Sequence, residues 1–510
     1  MHADIVIKNG KCITCVDEQQ FSWIAIEKDK ILALGNNDAY ETLTDEKTVV
    51  IDAKGSSILP GFIDSHCHVV QTGLNSASLD LSQAYSFDEI GSLIEAAQKK
   101  TPGKPIRGIR FQLDNLKEKK FPNRNFIDKC CSDVPVWINT HDYQVSLLNT
   151  YAMLYFKIPF TTEGVEMDDK DIPTGIFKTK ANAILRANIL KNITDTERMK
   201  AVWGIMEELL SNGITTLNAM EGGVLYSDKD ADFIHEHGKS FPVDMILFNQ
   251  TMDMEKIQDM KLKRVGGSLY LDGTLGARTA ALSFEYADCP GTKGSLCLPQ
   301  EDIDEFVLKC YKYNLQLSLY TIGDRAIEAA LKAHEKALYR TGNVSLRHRL
   351  EHVELANEDQ VKRAADMGII FSMQPSYEYF WGGPGKMYEQ RIGEHYKKTN
   401  RFREIWDSGI CICGGTDSDV TPARPILGIY SAVNHPVEEH RVSLQEAIKM
   451  FTYNGAYAIF EEKEKGSLER GKLADIIVLD CDIFSIPKEK LKDAQVKTTI
   501  KSGEILHNNI

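Results

Sequence analysis

The sequence predicts an α/β protein, a (β/α)8 barrel with a small β domain assembled from both ends of the chain. Three observations carry that prediction. Short apolar runs alternate with amphipathic helical stretches through the middle of the chain, polar side chains cluster just after those runs, and both ends read as turn-punctuated strands.

Taken in order, residues 1–57 hold Ile5-Val6-Ile7, Trp23-Ile24-Ala25-Ile26, Ile31-Leu32-Ala33-Leu34 and Val49-Val50-Ile51, separated by turn residues such as Asn9-Gly10. Residues 465–510 repeat the style with Asp475-Ile476-Ile477-Val478-Leu479 and Val496-Lys497-Thr498-Thr499-Ile500, and the two ends are expected to build one β domain. Ile7-Lys8-Asn9-Gly10-Lys11 and Ile500-Lys501-Ser502-Gly503-Glu504 read as two hairpins of one sheet system. Residues 58–464 are assigned to the barrel, with an insertion near 69–133 that contains Lys-rich stretches and helices outside it. Candidate strands end near His66, Thr140, Ala219, Leu271, Tyr320, His352, Gln374 and Gly415, which makes eight. That number closes a (β/α)8 barrel, whose chemistry collects at the carboxyl ends of its strands. The polar residues there are His66 and His68, His141 and Asp142, Asn218 and Glu221, Asp272, Tyr320, His352, Gln374 and Asp417.

Composition narrows the function. With 43% hydrophobic and 26% charged residues the 510-residue chain can build a large core, and 60 Lys+Arg against 73 Asp+Glu leaves a formal charge of -13. Such a balance argues against a nucleic-acid or anionic-membrane partner and favours a small-molecule substrate. The eleven cysteines form no paired framework and no C-x-x-C, which suits a reducing, cytoplasmic setting. No uncharged run reaches membrane-spanning length. Nothing specifies an assembly; a homodimer is the commonest closed one.

The strongest chemical signal is His66-Cys67-His68, following Ile58-Leu59-Pro60-Gly61-Phe62-Ile63-Asp64-Ser65. Alternate residues of a strand face the same way, so both imidazoles project together from its end. Two neutral imidazoles and a carboxylate, His66, His68 and Asp417, suit zinc or another divalent transition ion with room left for water. A metal ion brings water near the pKa of a usable nucleophile, while a carboxylate such as Asp417 relays its proton. Asp417 also reads as a cap of the helix starting near Pro422, and Asp324 in Gly323-Asp324-Arg325 as a cap or a substrate contact. His352, ending its strand, is a candidate for metal or substrate. Asp272, Tyr320 and Gln374 are the substrate-facing candidates, Trp381, Tyr377, Tyr379 and Phe380 a candidate aromatic wall, and Arg278 and Arg424 candidate partners for a substrate carboxylate.

The motifs PGFIDSHCH at Pro60 to His68, LDGTLGARTAAL at Leu271 to Leu282, IGDRAIEAA at Ile322 to Ala330, RHRLEHVEL at Arg347 to Leu355 and GGTDSDVTPARPILGIYSAV at Gly414 to Val433 resemble the amidohydrolase superfamily, specifically its YtcJ-like family 3. The resemblance spans nearly the whole chain. It implies a distorted (β/α)8 barrel with a β-sandwich built from both termini, and metal-assisted hydrolysis of amide or other C–N bonds. Its ligand positions fall on His66, His68, His352 and Asp417. On the fifth strand, where the family usually carries a His ligand, this chain has Tyr320, and Gln144, Asn218 and Ser268 are further departures from a binuclear site. Lys178 and Lys180 are poor substitutes for a bridging Lys; Glu221 is the better bridging or nearby carboxylate.

Three versions of the site follow: one ion on His66, His68 and Asp417 with His352 aiding substrate, a centre rearranged around Glu221, or a barrel that has lost metal. The first is preferred, with one zinc-like ion rather than two and Tyr320 donating to a carbonyl oxygen. The expected function is hydrolysis of a C–N bond in a small molecule. The competing function is a catalytically impaired barrel that binds a small molecule or regulates.

Overall fold

Pro60 and Gly61 end a strand of a terminal sheet, and the apolar run after them enters the barrel as β1, Phe62–Cys67. In this computed structural model, which describes residues 2–16, 20–141, 143–223, 226–342 and 345–509, β1 is joined by β2 (Ile214–Glu221), β3 (Asp244–Asn249), β4 (Arg264–Tyr270), β5 (Gln316–Thr321), β6 (Arg349–His352), β7 (Ile370–Met373) and β8 (Ile412–Gly414). They lie side by side in chain order as one eight-stranded sheet whose described pairs are all parallel. This is the (β/α)8 barrel, and its distortion has local causes. Gly266 and Gly267 take φ of +98° and +103°, and the β4–β5 register shifts between Gly266 and Tyr270.

β1, β2, β5, β6, β7 and β8 are buried along their whole length, as parallel strands covered on both faces must be. Phe62, Leu317, Leu319, Leu350, Phe371 and Ile412 share one apolar core, and burying each contributes roughly 1.5–3 kcal/mol. Helices cover the outside. Helix α1, Gln300–Lys312, links β4 to β5, and α2, Asp324–Thr341, links β5 to β6. Along α2 the buried Ala326, Ile327, Ala330, Leu331, His334 and Ala337 recur at three- and four-residue spacing, and Gly342 ends the helix at φ +67°.

Closure of the barrel shapes the site. β8 is only three residues long, and past it Asp417 N–H donates to His66 C=O at 2.8 Å while His68 N–H donates to Ser418 C=O at 2.6 Å. A Cβ on Gly415 would stand 2.6 Å from the His66 Cβ, so only glycine lets the two ends approach this closely.

Two sequence expectations need correction. The run ending near Thr140 is a strand, Val136–Thr140, but it pairs in a separate six-stranded sheet with Ile106–Phe111 and Val145–Leu148. The barrel strand it displaced from the reading is β3, whose Asp244-Met245-Ile246-Leu247 half is only partly buried and carries a weaker apolar signal. The insertion is also longer than 69–133: Val69–Ile205 with Gly222–Phe233 forms a compact unit around that six-stranded sheet, with Ile90, Ile94, Phe111, Ile127 and Ile138 in its core.

The chain ends form two sheets. Ile5–Lys8, Trp23–Glu27, Lys30–Gly35 and Val49–Asp52 make one; Lys11–Cys12, Ser57–Pro60, Ile476–Leu479, Val496–Lys501 and Glu504–Asn508 make the other. Ile7, Ile24 and Ile26 of the first and Ile58, Ile476, Val478 and Ile500 of the second share one apolar cluster. Val496–Lys501 and Glu504–Asn508 pair as a hairpin, whereas Asn9-Gly10 carries the chain from one sheet to the other, because Ile5–Lys8 pairs with Trp23–Glu27 instead.

Candidate metal centre and active site

His66 and His68 leave the end of β1 on the same side, and closure at Asp417 brings a carboxylate between them. One ligand atom from each of His66, His68 and Asp417 lies within 4.8 Å of the other two, and all three residues are buried. Asp417 Oδ1 stands 3.4 Å from His66 Nε2 and 3.2 Å from His68 Nε2. Asp417 holds φ +52°, a left-handed conformation that the surrounding hydrogen bonds enforce on a residue type that tolerates it.

The Nδ1 atoms explain why the Nε2 atoms face inward. His66 Nδ1 meets Glu351 Oε2 at 2.7 Å, and His68 Nδ1 donates to the Met220 carbonyl at 2.6 Å. A carbonyl or an ionised carboxylate only accepts, so each Nδ1 carries a proton and each Nε2 is the atom that, once deprotonated, could bind a metal. Burial opposes the Glu351 charge, yet Arg349 and His66 hold its carboxyl down at about 2. Arg349 Nε donates to Glu351 Oε1 at 2.9 Å, and its Nη2 reaches Ser65 C=O at 2.7 Å and Ser372 Oγ at 2.8 Å. Asp64 clips the seam from the other side, accepting from Thr416 N–H at 2.9 Å and His66 N–H at 3.2 Å. Burial pushes its carboxyl up to about 6 against those bonds.

This corner favours positive charge. Burial disfavours a cationic His68, but the hydrogen bond and charge of Asp417, with Glu221 and Asp419 beyond, raise it to about 9. Burial likewise opposes the Asp417 charge, and the imidazoles of His66, His68 and His352 hold the carboxyl well below its usual range. His66 Nε2 is buried with no hydrogen-bond partner, 3.4 Å from the Asp417 Oδ1 that also faces His68 Nε2. Two lone-pair atoms aimed at one another in a buried, acid-rich corner are what a divalent ion would satisfy. The donor set fits the metal that the sequence implies.

The remaining predicted residues divide. His352 ends β6 at φ +71°, followed by Val353 at +50°, and two successive left-handed residues, one β-branched, cost about 1–3 kcal/mol each. That turn sets the His352 ring 4.9 Å from the His66 ring, outside the three-residue ligand group. Both His352 nitrogens are buried, and burial, then His66, lowers its pKa to about 4 against Asp417, Glu351 and a hydrogen bond with Gln374. Gln374, just past β7, is buried beside it. Tyr320 packs its ring 4.4 Å from His352, with its hydroxyl 3.5 Å from Gly273 C=O. Asp272 is already engaged: its oxygens accept from Ala281, Ile322 and Gly323 N–H at 2.9, 3.0 and 2.8 Å, which clips two loops together. Glu221 is buried at the end of β2, outside the ligand group, and contributes charge to His68. Asn218 donates to Ser65 C=O at 3.1 Å.

His141 belongs to the inserted unit, and Asp142 falls outside the described residues. Lys178, in the same unit, pairs with Glu166 at 2.6 Å. Arg278 forms a two-point ion pair with Asp288 at 2.9 and 2.7 Å, and Arg424 donates to Lys492 C=O at 3.1 Å. Asp324 opens α2 and accepts from Ser283 N–H at 2.9 Å. Sequence reasoning missed Glu351 and Arg349, and placed Tyr377 in an aromatic wall without foreseeing that its hydroxyl donates to Asp417 Oδ2. For the first two the available signal was Arg349-Leu350-Glu351 itself, opposite charges on the same face of a buried strand.

Residues 49–507 match the sequence model of the amidohydrolase family. The chain belongs to that family. It is 27% identical to the putative amidohydrolase YtcJ of Bacillus subtilis, over 92% of this chain and 93% of that protein. It is 26% identical to an N-substituted formamide deformylase of Arthrobacter pascens, over 89% of each chain. Among solved structures, an uncharacterized metal-dependent hydrolase from Pyrococcus furiosus superposes with a TM-score of 0.77 at 26% identity, covering 94% of this amidohydrolase and 99% of the other chain. No helix among the described residues is long and apolar enough to cross a membrane, and all eleven cysteines are free thiols.

Proposed function

We propose that this amidohydrolase cleaves an amide or other C–N bond of a small molecule, using one divalent transition ion held by His66, His68 and Asp417. The carrying observation is the anchoring of both Nδ1 atoms, by Glu351 at 2.7 Å and Met220 at 2.6 Å, which turns both Nε2 atoms to the Asp417 carboxylate. An ion on two imidazoles and a carboxylate, zinc matching that set best, supplies Lewis acidity that brings water near neutrality in pKa.

The chain's own groups do the rest. Asp417 Oδ1 takes the proton of the attacking water and returns it to the leaving nitrogen, while Tyr377 steadies Oδ2. The neutral His352 imidazole and the Gln374 amide, both buried, hold the substrate's polar atoms, and Tyr320 donates to the carbonyl oxygen as negative charge develops there. Asp272 serves by fixing the loops that follow β4 and β5. The free thiols accord with a cytoplasmic protein.

Tyr320 at a position where the family usually has a ligand favours a second reading, a barrel that binds a small molecule without turnover. Metal analysis separates the two. A stoichiometric transition metal, lost on chelation together with amide hydrolysis, supports the hydrolase; protein without metal, unchanged in stability on metal addition, supports the binder.

A further inference from the structure

The residue after Tyr377 inverts the usual burial of its helix. In Ser376–Phe380, the single turn that follows β7, the aromatic Tyr379 and Phe380 are 36% and 38% exposed, whereas the carboxylate of Glu378 is buried at 2%. Burying a carboxylate is costly unless donors surround it, and no Lys or Arg among the described residues stands within ion-pair distance of this one. Its donors are uncharged: Oε1 accepts from Thr399 Oγ1 at 2.7 Å and from Asn400 Nδ2 at 2.8 Å, and the His435 Nε2 atom stands 3.4 Å away. All three partners are buried. A Cβ on Gly382 would lie 1.7 Å from Oε2, so the carboxylate fills the space that a side chain at 382 would need.

This carboxylate holds the turn that carries Tyr377. Five residues make a helix with little stability of its own, and no side chain caps its amino end. Asn400 N–H donates to Glu354 C=O at 2.9 Å, two residues past β6, so Glu378 ties the turn after β7 to the chain leaving β6. Ser376 Oγ, 3.1 Å from Thr421 Oγ1, ties the same turn to the chain leaving β8. Between the two ties the Tyr377 hydroxyl donates to Asp417 Oδ2. Oδ1 is then the oxygen left facing His66 Nε2 and His68 Nε2, at 3.4 and 3.2 Å.

We propose that Glu378 is a positioning residue of the metal site, holding Tyr377 on Asp417 Oδ2 and so fixing Oδ1 as the oxygen turned to the two imidazoles. The proposal rests on the hydrolase reading for the use made of Oδ1, not for the hold on Tyr377, and two measurements on the full-length protein keep these apart. The first is a double-mutant cycle in urea on chelator-treated protein. Tyr377→Phe should lower the unfolding midpoint in the parent, and less than half as far in Thr399→Val or Glu378→Leu, because losses at coupled residues do not add. The second is zinc affinity by chelator competition. It should fall about tenfold in Tyr377→Phe and about three- to tenfold in Thr399→Val and Glu378→Leu. Combining Tyr377→Phe with Thr399→Val should bind zinc no more weakly than Tyr377→Phe alone. Glu378→Gln keeps an oxygen for both donors and should stay within twofold of the parent. Thr399→Val, which removes one hydroxyl and keeps the shape, carries both measurements if Glu378→Leu does not fold. Equal losses from Tyr377→Phe in every background, a loss of more than twofold in Glu378→Gln, or zinc affinity unchanged by Tyr377→Phe in a parent that binds zinc would overturn the proposal. Coupling in urea in a parent that binds no zinc would uphold the hold on Tyr377 and count against the hydrolase reading. Stoichiometric zinc with additive losses would do the reverse.

Discussion

Two pairs of buried histidines stand at opposite ends of this barrel, and they differ in everything except proximity. His66 and His68, at the carboxyl end of β1, have rings 5.3 Å apart; His334 on α2 and His348, just before β6, have rings 4.9 Å apart. In the first pair each Nδ1 meets an acceptor, Glu351 or a carbonyl, which turns the Nε2 lone pairs toward Asp417. In the second, His348 Nδ1 accepts from Leu317 N–H at 3.0 Å, placing that ring's proton on Nε2, and His334 Nδ1 meets the Tyr311 hydroxyl at 3.1 Å. Burial lowers His68, but Asp417, Glu221 and Asp419 override it and raise it to about 9, whereas burial alone lowers His334 to about 3. Two imidazoles in contact do not make a metal site. A donor set that could hold a metal also needs anchors that orient the rings and a carboxylate that favours a cation.

The largest expected effect breaks the first pair's carboxylate. Asp417→Asn should reduce amide hydrolysis by about 10³-fold or more, because the proton acceptor and a ligand go together, with the thermal midpoint changed by only a few degrees. Retained turnover would remove Asp417 from the mechanism. Next, Glu351→Leu removes the acceptor that anchors His66 and leaves Arg349 without its buried counter-charge. Metal affinity measured by chelator competition should fall about 10–100-fold, and stability in urea by about 3–5 kcal/mol. Unchanged affinity would mean that Glu351 does not set the His66 tautomer.

The second pair makes its own prediction about acid. Both of its histidines are depressed, His334 to about 3 and His348 well below its ordinary value, through burial first. Below about pH 6.5 the unfolded chain takes up protons that the folded chain refuses, so stability is full above that pH and declines as pH falls toward 3. Each histidine contributes a slope of about 1.4 kcal/mol per pH unit. Urea unfolding at pH 7.5, 6.0 and 5.0 should show His334→Phe flattening that decline by one histidine's share; an unaltered acid limb would show that the pair is not buried neutral. The smallest effect belongs to Gln374→Ala, which should raise KM about 5–10-fold while leaving metal content unchanged.

Much of the architecture was legible in the sequence because parallel barrel strands are short, apolar and followed by polar residues, as Phe62–Cys67 and Ile412–Gly414 are. Periodicity cannot say which sheet a strand joins, so Val136–Thr140 and Asp244–Asn249 were exchanged in a count that still came to eight. The ligands could be read because His66-x-His68 lies on one strand face and Asp417 follows the last strand. Their supports could not: the Met220 carbonyl has no side-chain identity, and Tyr377, 40 residues from Asp417, becomes its partner only when β7 and β8 pair. Asp272 read as a substrate contact because its position says nothing of the three backbone N–H groups that converge on it.

The most direct test of the account is the metal content of protein purified without chelator, measured by inductively coupled plasma mass spectrometry beside Asp417→Asn. The account predicts about one equivalent of a divalent transition metal in the parent protein and less than a tenth of that in the variant. Two equivalents in the parent, or none, would contradict a single ion held by His66, His68 and Asp417.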